Sequence, residues 1–238
     1  LDVAYSPDGQ SFISAGTDGL VKIWRTADGQ LLHNLDHGIQ VHAAIFSPAG
    51  ETIATASSDG HVRLWEAGSG RLRLDMAGHL GEATCVAWSP TRNLLVSGGY
   101  DGQVRLWDPA SGAEIGRMPD SAGKVWALAF SPDGRTLGVT GRDQQIRLYD
   151  VDSRKVRMTI PGASEGGLDL ASTPDGARLV YAGEDRTLRI FAVASGRELR
   201  RLDLPGGNIN TLLLSADGRL IFSGSTANTV EVIPAIRW

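Results

Sequence analysis

The amino-acid sequence predicts an all-β protein built from six copies of one four-stranded unit. Three landmarks recur along its 238 residues at a shared spacing of 41 or 42 residues. The first is a turn of the Ser-Pro-Asp-Gly type, which begins at Ser6, Ser47, Ser89, Ser131, Thr173 and Ser215. The second is an aromatic or apolar residue at Trp24, Trp65, Trp107, Tyr149, Phe191 and Ile233. The third opens a hairpin at Asp18, Asp59, Asp101, Asp143, Asp185 and Ala227.

The common spacing divides the chain into six units within a single domain, 1–238. Their predicted ranges are about 1–35, 36–77, 78–118, 119–160, 161–203 and 204–238. Each unit has four apolar runs punctuated by Gly, Pro, Asp and Ser, a pattern typical of short strands joined by tight turns. In the third unit the predicted strands are Thr84–Trp88, Leu94–Ser97, Gln103–Trp107 and Ala113–Met118. No stretch shows a sustained helical period.

Each predicted sheet is apolar on both faces, so it cannot bury itself alone. Radial stacking gives every face a neighbour, and the repeat therefore favours a β-propeller over a sandwich. The first strand of each unit, such as Val125–Phe130, is the most uniformly apolar and is expected to be innermost. The fourth is expected to be outermost, because it carries the charges.

Cations are concentrated on these fourth strands. They are Arg71, Arg73, Arg154, Lys155, Arg157, Arg197, Arg200 and Arg201. Charged outer edges protect a sheet from pairing with another chain, which is the favoured interpretation. The alternative is a groove for an acidic partner.

Composition narrows the classes of function. There are 23 Lys and Arg against 27 Asp and Glu, a formal net charge of −4 that disfavours nucleic-acid and anionic-membrane binding. The longest apolar runs are about six residues, far short of the ~20 that a membrane helix needs. Cys85 is the sole cysteine, so no internal disulfide forms, and its apolar flanks predict a buried thiol. The chain opens at Leu1, so a targeting segment is expected upstream if there is one, and the expected location is cytoplasmic.

The landmarks resemble those of the WD-repeat family over essentially the whole chain. In that family a Gly-His pair precedes an apolar strand ending in Ser-Pro-Asp-Gly, and a Ser, an Asp-Gly and a Trp-Asp follow. The third unit matches most fully, through Gly78-His79, Ser89-Pro90, Ser97, Asp101-Gly102 and Trp107-Asp108. The frequent Ser-Pro-Asp-Gly turns are similar to those of bacterial members.

The resemblance implies buried hydrogen-bonded tetrads. The third unit would contain His79, Ser97, Asp101 and Trp107, and the second His37, Thr55, Asp59 and Trp65. A His, a Ser and an Asp also suit a hydrolytic triad. A catalytic set is needed only once, however, and this one recurs, so a structural role is favoured. The first unit has Ser14, Asp18 and Trp24, and its His would precede Leu1.

The last three units depart from the tetrad. Its positions hold Ser121, Val139, Asp143 and Tyr149, then Ala163, Tyr181, Asp185 and Phe191, and finally Pro205, Ser223, Ala227 and Ile233. The His and the Trp of the tetrad are replaced together, so no buried indole N–H is left without an acceptor. In the sixth unit, the weakest match, the third strand is expected to be displaced toward Ile236-Arg237-Trp238.

Six periods of 42 residues would need 252 residues, 14 more than the chain has. The deficit corresponds to one outer strand and the loop that follows it. We therefore expect a last blade without its outer strand, within a segment of a longer protein whose ring has seven blades. The alternative is a six-unit ring closed only by packing.

Partner contacts are expected on the loops that precede the first strand and join the second to the third. The candidate residues are His42, Glu82, Tyr100, Lys124, Trp126, Arg142, Glu184 and Asn210. Tyr100, Lys124, Trp126 and Arg142 are expected to cluster, since they come from adjacent units, and they include residue types common at binding hot spots. The competing interpretation is that Trp126 packs at a strand start and the others are solvated.

The expected function is a non-catalytic scaffold that presents this face to other proteins or peptides, among them further domains of the same polypeptide. The alternative is an enzyme or small-molecule binder that uses the central channel, although no cluster of His, Asp and Glu recurs at channel-facing positions. No cofactor is expected. A metal site is disfavoured because His42 lacks a companion ligand at metal spacing, and Asp150 and Asp152 do not match a calcium loop.

Overall fold

The computed structural model describes residues 2–119, 123–162, 166–204 and 207–235. These ranges contain 23 strands, β1 to β23, and no helix. The strands form six antiparallel sheets, and within every sheet the spatial order follows the chain order. Because adjacent strands are joined by tight turns, each repeat folds as a local meander.

The first three sheets have four strands each. Their strands are β1 Asp2–Tyr5, β2 Ser11–Ala15, β3 Leu20–Arg25 and β4 Leu31–Asp36; β5 Val41–Phe46, β6 Thr52–Ser57, β7 His61–Glu66 and β8 Leu72–Ala77; β9 Ala83–Trp88, β10 Leu95–Gly99, β11 Val104–Trp107 and β12 Glu114–Met118.

The remaining sheets have four, four and three described strands. They are β13 Val125–Phe130, β14 Thr136–Gly141, β15 Gln145–Asp150 and β16 Lys155–Pro161; β17 Gly167–Ser172, β18 Arg178–Gly183, β19 Thr187–Ala192 and β20 Glu198–Asp203; β21 Ile209–Leu214, β22 Leu220–Ser225 and β23 Val230–Pro234. The predicted all-β fold of six propeller blades, the last with three strands, is confirmed.

The chain divides into two compact units, residues 1–117 and 118–238, with three sheets in each. Within each unit, the first strands of consecutive sheets lie side by side. The core lies between the sheets. Leu170 of the fifth sheet, for example, packs among Ile146 and Leu148 of the fourth. A neighbouring sheet therefore supplies the burial that a single sheet cannot achieve. The expectations of a single domain and of a seven-bladed ring remain predictions.

The second strand of a sheet, rather than the first, is the most completely buried. In the fourth sheet every residue of β14 is buried, whereas β13 alternates between buried and half-buried positions. The second strand is paired along both edges and covered on both faces, while the first has one free edge. Burial and position in the blade therefore differ: the first strands form the edge at which consecutive sheets of each compact unit meet, as expected of innermost strands.

The third strand of the sixth sheet is not displaced, contrary to the sequence-based expectation. β23 pairs with β22 in the register of the repeat, which puts Ile233 opposite Ile221. Asn228 has a φ of 58° and adopts the left-handed conformation that glycine provides in the first three units. The hairpin turn therefore survives the loss of Asp-Gly and holds the strand in place. Residues 236–238 lie outside the described residues.

Candidate functional site

A continuous chain of hydrogen bonds runs through the third sheet. The indole N–H of Trp107 donates to Ser97 Oγ at 2.8 Å, and Ser97 Oγ lies 2.7 Å from Nε2 of His79. Nδ1 of His79 lies 2.9 Å from a carboxylate oxygen of Asp101. An ionised carboxylate only accepts, so Nδ1 carries the proton and Nε2 accepts from the Ser97 hydroxyl.

The charge states follow from burial and from these bonds. Burial lowers the pKa of His79, so the ring is neutral at pH 7. Burial would raise the pKa of Asp101, but hydrogen bonds from His79 and from the backbone amides of Leu80 and Gln103 lower it to about 2. Asp101 thus ties the loop before β9 to the hairpin between β10 and β11.

The geometry of this network is that of a packing element rather than of a nucleophile. Ser97 is fully buried, and its hydroxyl is already engaged by both Trp107 and His79. A substrate carbonyl has no route to Oγ. The network therefore holds loops in position and leaves any recognition to exposed residues.

The second sheet completes its network differently. Trp65 donates to Thr55 Oγ1 at 3.1 Å, and Thr55 Oγ1 lies 2.8 Å from Nε2 of His37. Nδ1 of His37 then donates to the carbonyl oxygen of Leu35 at 3.1 Å. Asp59, the predicted fourth member, bonds to Arg63 at 2.6 Å instead. A backbone carbonyl thus takes the place of the carboxylate, which pairs with Arg63.

A recurring ion pair was missed by the sequence interpretation. The hairpin Asp pairs with a cation four residues later in five units, as Asp18–Lys22 (3.1 Å), Asp59–Arg63 (2.6 Å), Asp101–Arg105 (3.3 Å), Asp143–Arg147 and Asp185–Arg189 (2.6 Å). In the sixth unit the two positions hold Ala227 and Glu231, so both charges of the pair are absent. The signal was visible in the sequence as Asp-x-x-x-Lys/Arg at the repeat spacing.

The other units show what replaces the tetrad. In the first, Trp24 donates to Ser14 Oγ at 2.9 Å. In the fourth, the Tyr149 hydroxyl donates to the carbonyl oxygen of Pro119 at 2.8 Å. In the fifth, Tyr181 and Phe191 pack edge to face with ring centroids 6.4 Å apart. Ser121, Ala163 and Pro205 lie outside the described residues.

The structure brings three candidate partner-binding residues of the first compact unit together. Nε2 of His42, at the start of β5, lies 2.7 Å from a carboxylate oxygen of Glu82, which directly precedes β9 of the next sheet. The same nitrogen lies 2.9 Å from Ser58 Oγ. The amide of Tyr100 donates to the carbonyl oxygen of Glu82 at 2.8 Å. The Tyr100 side chain is 36% exposed, so this group reaches solvent.

Ser58, His42 and Glu82 do not have the geometry of a catalytic triad. In a triad the serine and the acid contact opposite ring nitrogens, so that one nitrogen removes a proton while the other is oriented. Here both contacts fall on Nε2. The arrangement can orient His42 and present polar atoms to a partner.

In the second compact unit, Trp126 and Glu184 gather around Gly166. A Cβ added at residue 166 would lie 3.1 Å from the Trp126 ring and 3.4 Å from the Glu184 carboxylate. The amide of Arg142 donates to the carbonyl oxygen of Lys124 at 2.9 Å. Arg142 and Asn210 are both exposed, and Asn210 lies on β21. The predicted cluster of Tyr100 with Trp126, Lys124 and Arg142 would join the two compact units and remains a prediction.

Two exposed apolar residues of the same loops were not among the candidates. Leu80 is 84% exposed and Ile39 is 40% exposed. The amide of Leu80 donates to Asp101 at 3.0 Å, so the tetrad holds the loop that displays its side chain. In the sequence, the only indication of this site was that an apolar residue, Leu80, directly follows Gly78-His79. Composition alone gave no reason to expect that its side chain is exposed to solvent.

The described ranges contain neither a metal-binding cluster nor a membrane-spanning helix. There, no group of three or more His, Cys, Asp or Glu side chains is arranged to hold a metal ion. The same ranges contain no helix that is long and apolar enough to cross a membrane. Cys85 is buried, as its flanks predicted.

Comparisons with known proteins agree with this architecture. A family model described as the IFT122 first beta-propeller matches residues 1–234. Proteins named small ribosomal subunit protein RACK1 from Medicago sativa and from Glycine max are each 46% identical over 44 residues. Those 44 residues are 18% of this chain and 14% of each relative, so the likeness extends over about one repeat.

Proposed function

We propose that this chain, which belongs to the IFT122 first beta-propeller family of WD-repeat proteins, is a non-catalytic scaffold that binds partner proteins or peptides. Its binding surface is the set of loops before the first strands and between the second and third strands. Partners include further domains of the same polypeptide. The net charge of −4 argues against nucleic acid and anionic membranes as partners.

One observation carries the proposal: exposed, non-repeating side chains are displayed on loops that the repeating framework immobilises. Leu80 and Tyr100 flank Asp101, whose carboxylate is bonded to His79 and to the Leu80 amide. Apolar and aromatic side chains held out in solvent on a rigid loop lose little entropy on binding, which is typical of hot-spot residues. The residues at repeated positions stabilise the fold, and the residues that vary between repeats can determine which partner binds.

A catalytic role receives less support from the same geometry. The buried Ser97 is inaccessible, and both neighbours of His42 contact one ring nitrogen. The second compact unit places the Trp126 indole, the Glu184 carboxylate and the Gly166 backbone together, which suits recognition of an extended peptide. These features favour the scaffold over an enzyme or a small-molecule binder.

The test is quantitative affinity purification of the full chain with Tyr100→Ala and Trp126→Ala variants. Both should lose the same specific partner, because both residues belong to the proposed surface. Leu199→Ala is the matched control, since Leu199 is 37% exposed, close to Tyr100, and lies on the outer strand β20. Retention of every partner by both variants, with circular dichroism unchanged, would show that another surface binds.

A further inference from the structure

The loop before β9 lies against the hairpin between β10 and β11 in the first compact unit. The amide of Tyr100 donates to the carbonyl oxygen of Glu82 at 2.8 Å, and the amide of Leu80 donates to the Asp101 carboxylate at 3.0 Å. A Cβ added at Gly81 would lie 3.6 Å from the Cβ of Tyr100. These contacts hold residues 80–82 alongside residues 100 and 101. Leu80, Glu82 and Tyr100 therefore form one surface, here called the Leu80 patch.

All three side chains of the Leu80 patch are accessible to a ligand. Leu80 is 84% exposed, Tyr100 is 36% exposed, and the Glu82 side chain is 35% exposed. The repeat does not require an apolar residue at this place, since the second unit has Gly38 at the position of Leu80. The folding of the repeat therefore does not explain the apolar character of the patch.

The carboxylate of Glu82 is held in a fixed position by the second sheet. Its oxygen Oε2 lies 2.7 Å from Nε2 of His42, and the same nitrogen lies 2.9 Å from Ser58 Oγ. A carboxylate only accepts hydrogen bonds, so Nε2 carries a proton. The second oxygen, Oε1, has no partner among the described residues and can accept from a ligand. An anion that is already ordered loses little conformational entropy on binding.

The loops at this end of the first compact unit carry an excess of negative charge. Their three hairpin carboxylates are already paired with cations, as Asp18–Lys22, Asp59–Arg63 and Asp101–Arg105. Two further carboxylates are Glu82 and exposed Asp36, the last residue of β4. Neither contacts a Lys or Arg side chain within the described ranges. Charge complementarity therefore favours a cationic ligand.

We propose that the Leu80 patch binds a partner segment in which an apolar side chain and a Lys or Arg side chain are separated by one residue. The apolar side chain would contact Leu80 and Tyr100, and the cation would donate a charge-assisted hydrogen bond to Oε1 of Glu82. In an extended segment alternate side chains point to the same side, so both can reach the patch. The inference rests on the proposed function, because it names the chemistry of one partner of that surface.

The experiment measures peptide affinity through the amide resonances of Gly81 and Tyr100 in the full, uniformly ¹⁵N-labelled chain. The probes are the blocked peptides Gly-Leu-Ser-Arg-Gly, Gly-Leu-Ser-Glu-Gly and Gly-Ser-Ser-Arg-Gly. We expect saturable movement of both resonances with the first peptide. The affinity should be at least about tenfold weaker for each of the others, because one loses the charge-assisted bond and the other the apolar contact.

Matched variants make the outcome specific. Glu82→Gln should weaken binding of the Leu-Ser-Arg peptide about tenfold, while Glu51→Gln, at an exposed position before β6, should not. Leu80→Ala should also weaken it, while Leu72→Ala on the outer strand β8, where Leu72 is 48% exposed, should not. Leu80 is exposed and Gln retains an acceptor for His42, so both variants should fold as the wild type does, which circular dichroism verifies.

Four results would overturn the inference. They are equal affinity for the Arg and Glu peptides, tighter binding of the Glu peptide, affinity unchanged by both Leu80→Ala and Glu82→Gln, and the lack of saturable movement with any probe. The scaffold proposal fails separately, when no co-purified partner depends on Tyr100 or Trp126. A partner that is lost with Tyr100→Ala, while the peptides show no preference, would refute this specificity and leave the scaffold function standing.

Discussion

The carboxylate of Asp169 in β17 accepts a hydrogen bond from the backbone amide of Leu212 in β21, 2.6 Å away in the next sheet. Four repeats earlier, Asp2 accepts from the amide of Ala44 at 3.0 Å. Each carboxylate also accepts from the amide of the residue that follows it. First strands have one unpaired edge, and these two carboxylates satisfy amides on that edge of the neighbouring sheet.

Asp169→Ala is expected to destabilise the protein by about 1–3 kcal/mol, because the Leu212 amide loses its acceptor. Asp169→Asn keeps an acceptor oxygen and should cost less. The measurements are chemical denaturation and hydrogen exchange at the Leu212 amide, which should accelerate in the Ala variant. Unchanged exchange at that amide would show that the bond does not hold the two sheets together.

Ser97→Ala is expected to cost about 2–4 kcal/mol, because it leaves both the Trp107 N–H and His79 Nε2 buried without a partner. Ser14→Ala is the matched control. In the first unit the same position serves the Trp24 N–H, with no described His beyond it, so the loss should be about half as large. Thermal unfolding compares the two variants, and equal losses would mean that His79 adds nothing to the network.

Stability is expected to fall on acidification in two stages. The lowered pKa of His79 means that the unfolded chain, with an ordinary His pKa of 6.5, takes up a proton before the native state does. This contribution is complete above pH 6.5 and is lost as the pH falls below it. Asp59 and Asp101, each with a pKa of about 2 against an ordinary 3.8, then remove further stability between about pH 4 and pH 2.

Denaturation curves from pH 7.5 to 5 test the first stage. The difference between the wild type and His79→Gln isolates the His79 contribution from that of the other histidines. The wild type should lose more stability over this range than the variant does. Identical pH dependence of the wild type and the variant would mean that folding does not lower the pKa of His79.

Installing the missing hairpin ion pair in the sixth unit is expected to stabilise it slightly. Ala227→Asp combined with Glu231→Arg recreates the pair of the other five units. Ala227 is exposed and Glu231 half-buried, and solvent-exposed pairs such as Asp18–Lys22 contribute about 0.2–1 kcal/mol. Ala227→Asp alone faces Glu231 and should give no gain. A double-mutant cycle in chemical denaturation measures the coupling, and a coupling of zero would show that the hairpin geometry differs in this unit.

Much of the candidate site could be located from residue spacing. Trp107 and Ser97 are ten residues apart on paired strands, and the hairpin between them brings their side chains within hydrogen-bonding distance. The same local logic placed His42 and Glu82 on the loops of one face. Sequence spacing could not tell that Asp59 bonds to Arg63 instead of His37, because that choice depends on side-chain rotamers and on the path of the Leu35 backbone.

The number of units, their strands and their turns were determined by the sequence alone, because turn chemistry and alternating apolar residues act over a few neighbouring positions. Contacts between sheets were decided by tertiary structure. Glu82 reaches His42, and Asp169 reaches the Leu212 amide, only because successive sheets stack. Such contacts join residues that are distant in the chain. A local sequence pattern does not predict which distant residues will meet.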